Sequence, residues 1–165
     1  MKLNLDTLPP GRSELPVTGT YRLDLEEGDA GEVTVSGELR VDATEGRVLV
    51  RGDLRVAGTA ECDRCLSAFA LSYVADVDIV IVRDARGGDP ADDAEEGTAW
   101  TEHQARGEVD LAPALKEAAL LTLPQKMVCR EDCRGICAHC GVDRNVEACD
   151  CDQEITDPRW DALPS

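Results

Sequence analysis

Eight cysteines in four close pairs constrain this 165-residue chain more than any other feature. Cys62 and Cys65 stand alone in the first half, while Cys129 and Cys133, Cys137 and Cys140, and Cys149 and Cys151 crowd together downstream. Two residues between cysteines let two thiolates point at one ion while backbone amides hydrogen-bond the sulfurs. Four thiolates at about 2.3 Å fill the tetrahedron of Zn2+. The expected cofactor is therefore Zn2+, two ions per chain, each held by four cysteines. Chain proximity groups Cys137, Cys140, Cys149 and Cys151 in one local site. Cys62, Cys65, Cys129 and Cys133 then form a long-range staple, since short loop closures cost less entropy. The competing arrangement crosses Cys62 and Cys65 with Cys137 and Cys140. His139 lies inside the third pair and could replace a sulfur, although four cysteines already suffice.

Other uses of the cysteines fit less well. The N-terminus has no basic and apolar export segment and no apolar run approaches a membrane span, so a cytoplasmic location is expected, where disulfides are rare. A thioredoxin-like reading of Cys62 and Cys65 needs a helix starting at the first cysteine, whereas strand patterns flank this pair. All-cysteine zinc sites are closed, so they offer no position for a reactive water. His103 and His139 form no ligand motif, and there is no phosphate loop, nucleophile elbow or dinucleotide fingerprint. No enzyme activity is expected. Zinc storage or thiol redox sensing is the alternative, and it requires labile metal or exposed thiols of low pKa.

The rest of the chain reads as α+β: a twisted antiparallel sheet of consecutive hairpins, one packed amphipathic helix and a C-terminal zinc ribbon. Three prolines and Gly11 mark residues 1–20 as an irregular arm before a first strand at Thr20–Leu25. Val33, Val35, Gly37, Leu39 and Val41 alternate with polar residues, and Val48, Val50, Gly52, Leu54 and Val56 repeat the pattern. Pairing Val41 with Val48 keeps both apolar sets on one face and sets Glu38 opposite Arg51. A third alternation runs from Phe69 to Ile81. An acidic loop at about 83–99 follows, with Trp100–Arg106 as a segment that could rejoin the sheet. Asp110 is the expected N-cap of a helix carrying Leu111, Leu115, Ala118 and Ala119 on one stripe and ending near Leu123, before Pro124. Residues 1–128 thus form the core, and 129–165 the cysteine-rich segment with an acidic tail.

Charge narrows the partners. Thirty-four acids against 17 Lys and Arg give a net charge of −17, which argues against a protein held on nucleic acid mainly by phosphate contacts. A basic protein is the easier partner. A local RNA contact remains open through Arg64, Arg130 and Arg134 beside the cysteines, with Arg51 and Arg55 on the outward face of a strand, because zinc knuckles are one of the modules that bind single-stranded RNA.

Several motifs together resemble the YceD family. They are Cys62-Asp63-Arg64-Cys65-Leu66-x-x-Phe69, Gly107-Glu108-Val109-Asp110-Leu111 after the acidic loop, and a helix ending Leu120-Leu121-x-Leu123-Pro124. The segment Cys133-Arg134-Gly135-Ile136-Cys137-x-x-Cys140-Gly141, with Asn145 and Cys149-Asp150-Cys151, is similar to the metal-binding version of that family's C-terminus, and Asp157-Pro158-Arg159 suits its ending. Arg144 stands where a Leu is usual. The resemblance spans about residues 15–161. It implies a role without catalysis in accumulation of large-subunit ribosomal RNA, with a large-subunit ribosomal protein or ribosomal RNA as partner and no membrane. It also implies that the second zinc site is an option within the family, because other members lack much of the cysteine-rich tail.

Overall fold

The computed structural model describes residues 1–25, 28–83 and 100–151, without the side chains of residues 24, 25 and 28–30. The acidic segment from residue 84 and the tail from residue 152 lie outside the described residues. In chain order the elements are β1 (Lys2–Asn4), β2 (Gly11–Leu25), β3 (Gly28–Ala43), β4 (Arg47–Glu61), β5 (Ala68–Val82), β6 (Trp100–His103), β7 (Glu108–Asp110) and α1 (Ala112–Leu121). Strands β2-β3-β4-β5-β6 form a five-stranded sheet in that order, and β1 pairs with β7 in a second, two-stranded one. Among the described residues the protein is mostly β, with one helix. Among the described residues no helix is long and apolar enough to cross a membrane.

The chain divides into two compact units. The first joins residues 1–60 to 70–125; the second joins the turn at 61–69 to the residues from Lys126 onward. Period-two alternation builds the first unit. Val33, Val35, Leu39 and Val41 on β3, Val48, Val50, Leu54 and Val56 on β4, and Ala75, Val77, Ile79 and Ile81 on β5 are all buried in one cluster. Their alternate neighbours Thr34, Glu38, Arg40, Arg51, Arg55 and Asp76 are exposed. Leu111, Ala114, Leu115 and Ala119 bring the helix stripe into the same cluster. Tyr73 anchors it further, its hydroxyl donating to the Ala119 carbonyl at 2.7 Å. Inside the sheet Gly37 faces Leu54, and a Cβ at residue 37 would lie 2.8 Å from Leu54 Cδ2. The glycine, at φ +154°, makes room for the leucine.

Four expectations change. Residues 1–20 are not an irregular arm: β1 forms a short strand, and β2 begins at Gly11 and pairs antiparallel with β3 from its first residue. Pro16 is tolerated because β2 is an edge strand, where one missing N–H costs no ladder bond. The β3–β4 register is offset by two residues, pairing Val41 with Val50 and Arg40 with Arg51. An even offset keeps every apolar side chain on its face, which is why patterning alone could not detect it. Arg51 meets Asp78 on β5, with Nε 2.9 Å from the carboxylate. The sheet is mixed rather than antiparallel, because β6 returns parallel to β5, with Ile79 opposite Trp100. Finally the helix starts one residue late and stops at Leu121. Leu111 holds the cap position, while Asp110 Oδ1 still accepts the Ala112 N–H at 3.0 Å.

Leu54 is 1% exposed and sits over a glycine that cannot fill the gap it would leave. Leu54→Ala should therefore cost about 2–5 kcal/mol, read as a lowered denaturant midpoint with an unchanged slope. Thr59→Ala, on the exposed face of the same strand, should stay within about 0.5 kcal/mol of the parent.

Candidate metal centres

None of the eight cysteines is in a disulfide, and they gather in two groups: Cys62, Cys65, Cys129 and Cys133, and Cys137, Cys140, Cys149 and Cys151. Within each group the sulfurs lie within 4.8 Å of one another. This is the proximity grouping, and the crossed one is not formed. Cys62 Sγ and Cys133 Sγ are 3.9 Å apart, and Cys65 Sγ and Cys129 Sγ are 3.8 Å apart. A tetrahedron of sulfurs about 2.3 Å from a central ion has edges of about 3.8 Å. A disulfide needs about 2.05 Å. The spacing is that of ligands around an ion, and four thiolates suit Zn2+ or another thiophilic metal.

The two Cys-x-x-Cys turns share one local geometry. Leu66 N–H donates to the Cys62 carbonyl at 2.8 Å, and Gly141 N–H donates to the Cys137 carbonyl at 2.9 Å. Both residues after the second cysteine have positive φ, +60° for Leu66 and +74° for Gly141. Glycine accepts that conformation without cost; leucine does so only because the turn is fixed from both sides. Asp63 supplies part of that fixing. Its amide donates to the Met127 carbonyl at 2.8 Å and its carboxylate accepts the Met127 N–H at 2.7 Å. The turn at 61–69 is thereby stitched to the segment that carries Cys129.

Amides aimed at sulfur decide which thiols ionise. The Cys129 N–H lies 3.4 Å from Cys62 Sγ and, with the Cys65 and Arg64 amides, holds the Cys62 thiol down to about 6 against the effect of burial. The Cys140 amide, then that of His139, holds Cys137 down to about 5. His139 thus contributes its backbone, and its exposed ring is outside the four-thiol group. Burial raises Cys133, yet the Gly135 amide and the Asn145 side chain leave it net lowered. Three other thiols move the other way. Burial, then the hydrogen bond with Cys62, pushes Cys129 up to about 12, and the hydrogen bond with Cys140, then burial, does the same to Cys151. Cys149 is raised first by its hydrogen bond with Cys137. Four negative sulfurs this close repel one another, so full ionisation of either group calls for a cation at its centre.

Arg64, Arg130 and Arg134 are all exposed, and each makes contacts within the second unit, whereas Arg51 and Arg55 belong to the first. One Arg64 Nη donates to the Cys133 and Glu131 carbonyls at 3.0 and 3.3 Å. Arg130 reaches Asn145 Oδ1 at 2.8 Å and Asp132 at 3.4 Å, and Arg134 reaches the Arg144 carbonyl at 3.5 Å. Cysteine spacing alone gives no role to Asp63 or Asn145, because both act through amides far away in sequence. Asn145 accepts the Arg134 N–H at 2.8 Å and donates its side-chain N–H to Cys133 Sγ at 3.4 Å.

Gly135 closes this packing. It has φ +73°, and a Cβ there would lie 2.8 Å from the Arg64 carbonyl oxygen, which also accepts the Ile136 N–H at 2.9 Å. Gly135→Ala should cost more than the roughly 1–2 kcal/mol of a left-handed alanine, because backbone must also move. The check is thermal unfolding with metal content measured in parallel; both should fall, and an unchanged pair of values would contradict the close approach.

The sequence model of the family described as large ribosomal RNA subunit accumulation protein YceD matches residues 50–165. Uncharacterized proteins of Mycobacterium bovis and Mycobacterium tuberculosis are each 33% identical over 127 residues, which is 76% of this chain and 58% of theirs. One of Mycobacterium leprae is 31% identical over 138 residues, covering 76% of this chain and 56% of its own. The chain thus spans less than two thirds of the length of these relatives. No solved structure matches. Both thiol groups fall within the matched region, and the chain belongs to the YceD family.

Proposed function

We propose that this protein is a non-catalytic, zinc-stabilised accessory factor for large ribosomal subunit biogenesis, acting in the cytoplasm. The observation that carries this reading is the family match over residues 50–165, which takes in all eight cysteines. Cys62, Cys65, Cys129 and Cys133 would hold one Zn2+, and Cys137, Cys140, Cys149 and Cys151 the other. Bound there, the ion supplies charge neutralisation and a cross-link. Four protein ligands fill its coordination, so the chemistry is structural. The chain's own residues bring a distant turn to the downstream cysteines and present the surface around them.

Charge supports a protein as the direct partner. Eight thiolates and two divalent ions take the formal charge from −17 to about −21. A basic protein of the large subunit, shielded until it meets RNA, complements such a surface. RNA contact through Arg64, Arg130 and Arg134 is the second route, and Asp63, Glu131 and Asp132 beside them weaken it. Zinc storage is the alternative function. It is favoured by the accessibility of the second group, in which Cys140 is exposed and Cys149 and Cys151 are half-buried.

Four measurements test this. Purified protein should carry two zinc ions per chain, and chelation under reducing conditions should unfold the cysteine-rich unit. Cys62→Ser should lower stability by several kcal/mol by opening the long-range link; a variant as stable as the parent, or rapid zinc exchange with the fold intact, would instead favour storage. Affinity capture from cells at low and high salt should recover a basic large-subunit protein, with less at high salt. Equal recovery at both salts, or recovery of no basic ribosomal protein, would count against the partner proposed.

A further inference from the structure

Asn145 reaches a thiol of the first group, although its place in the chain belongs to the second. It lies in the loop between Cys140 and Cys149, both members of that group. The group's own segment shapes this loop: Cys137 N–H donates to the Val142 carbonyl at 2.8 Å, and Arg144 N–H to the Gly135 carbonyl at 3.0 Å. Asp143 then orients the side chain, its Oδ1 accepting the Asn145 backbone N–H at 2.8 Å and the side-chain N–H at 2.7 Å. From there the amide reaches out of its group. Its oxygen accepts the Arg134 N–H and the Arg130 guanidinium, each at 2.8 Å, and its nitrogen lies 3.4 Å from Cys133 Sγ. Cys133 belongs to the first group.

We infer that Asn145 couples the two centres: the loop closed by the second group presents a hydrogen-bond donor to a thiolate of the first, so filling the second group raises the metal affinity of the first. The inference rests on reading both groups as metal centres. Its physical content is familiar from other metal sites, where partners of the ligands fix their orientation and charge. What is particular here is the origin of the partner. The donor to the first group is ordered by the closure of the second, and only three residues separate Cys133 from Cys137. Linkage makes the effect reciprocal, so an ion in the first group must strengthen the second by the same factor. Asn145 is a positioning residue: it holds a ligand and is not one.

Substitutions separate the two ends of the amide. Asn145→Ala removes both. Asn145→Asp keeps the acceptor for Arg134 and Arg130 but loses the donor to sulfur. The full-length chain, stripped of metal and reloaded with Cd2+, would be followed by cadmium NMR, in which two four-thiolate centres give two resonances, and by competition with a chelator. For both variants we expect two bound ions, a shifted first-group resonance and a first-group affinity lower by about tenfold to a hundredfold. Replacing Cys149 and Cys151 by Ser should weaken the first group by a similar factor, and adding Asn145→Ala should then cost nothing more. Parent-like resonance and affinity in Asn145→Asp would show that the amide serves only as an acceptor and would overturn the inference. So would an Asn145→Ala penalty that persists in full without the second group. A parent chain that binds no Cd2+ at either group overturns the metal reading itself, a result distinct from both.

Discussion

Four sulfurs within 4.8 Å of one another, which would repel if all were ionised, are the constraint on which the cysteine-rich unit depends. Its buried cluster is Cys62, Cys65 and Cys133, with Phe69, Val128 and Cys129 packed against them, and Cys137 is buried as well. That is too little apolar surface to order so many turns by burial alone. The thiols stand where a larger unit would have leucines, and if ionised they would hold the chain together only with their charge neutralised. A cation at the centre, as proposed above, would turn the least favourable feature of the unit into its main cross-link. The chain separation from Cys62 to Cys133 makes that cross-link worth more, since it removes a long loop from the unfolded ensemble.

The sheet unit depends on a different logic, and the contrast explains which parts were legible in the sequence. Strict alternation on β3 and β4 showed which side chains are buried, because the period of two is a property of the strand itself. Register is a relation between strands. A two-residue offset leaves the pattern intact, so Val41 could be paired with Val48 or with Val50 on equal terms. Pro16 concealed β2 for a related reason: proline speaks against a strand only if that strand is central, and position in the sheet is not written locally. The parallel return of β6 was equally hidden, since four residues carry no sign of direction.

At the thiol groups the legible part was the ligands. Cysteine spacing reports how two sulfurs can meet one ion, and the cost of loop closure favoured the grouping that is found. The residues that complete the sites had no such signature. Asp63 binds the Met127 backbone and Asn145 binds the Arg134 backbone, and a backbone partner leaves no mark on the residue type it uses. Gly135 was visible only as part of a family motif. Its reason is steric: the Arg64 carbonyl occupies the space a side chain would need.

The same contacts bear on what the arginines can still do. Each guanidinium carries five N–H donors in a planar fork. Arg64 uses one nitrogen on the Cys133 and Glu131 carbonyls, which fixes its direction without saturating it. Arg130 is held by Asn145 and Asp132 in the same way. Such anchoring lowers the entropy lost when a guanidinium meets an anion, so these arginines are better ordered than ordinary surface cations. Their carboxylate neighbours act in the opposite direction by supplying competing negative charge. The basic protein proposed as partner would set its cations against those carboxylates and its backbone or carboxylate acceptors against the fixed arginines.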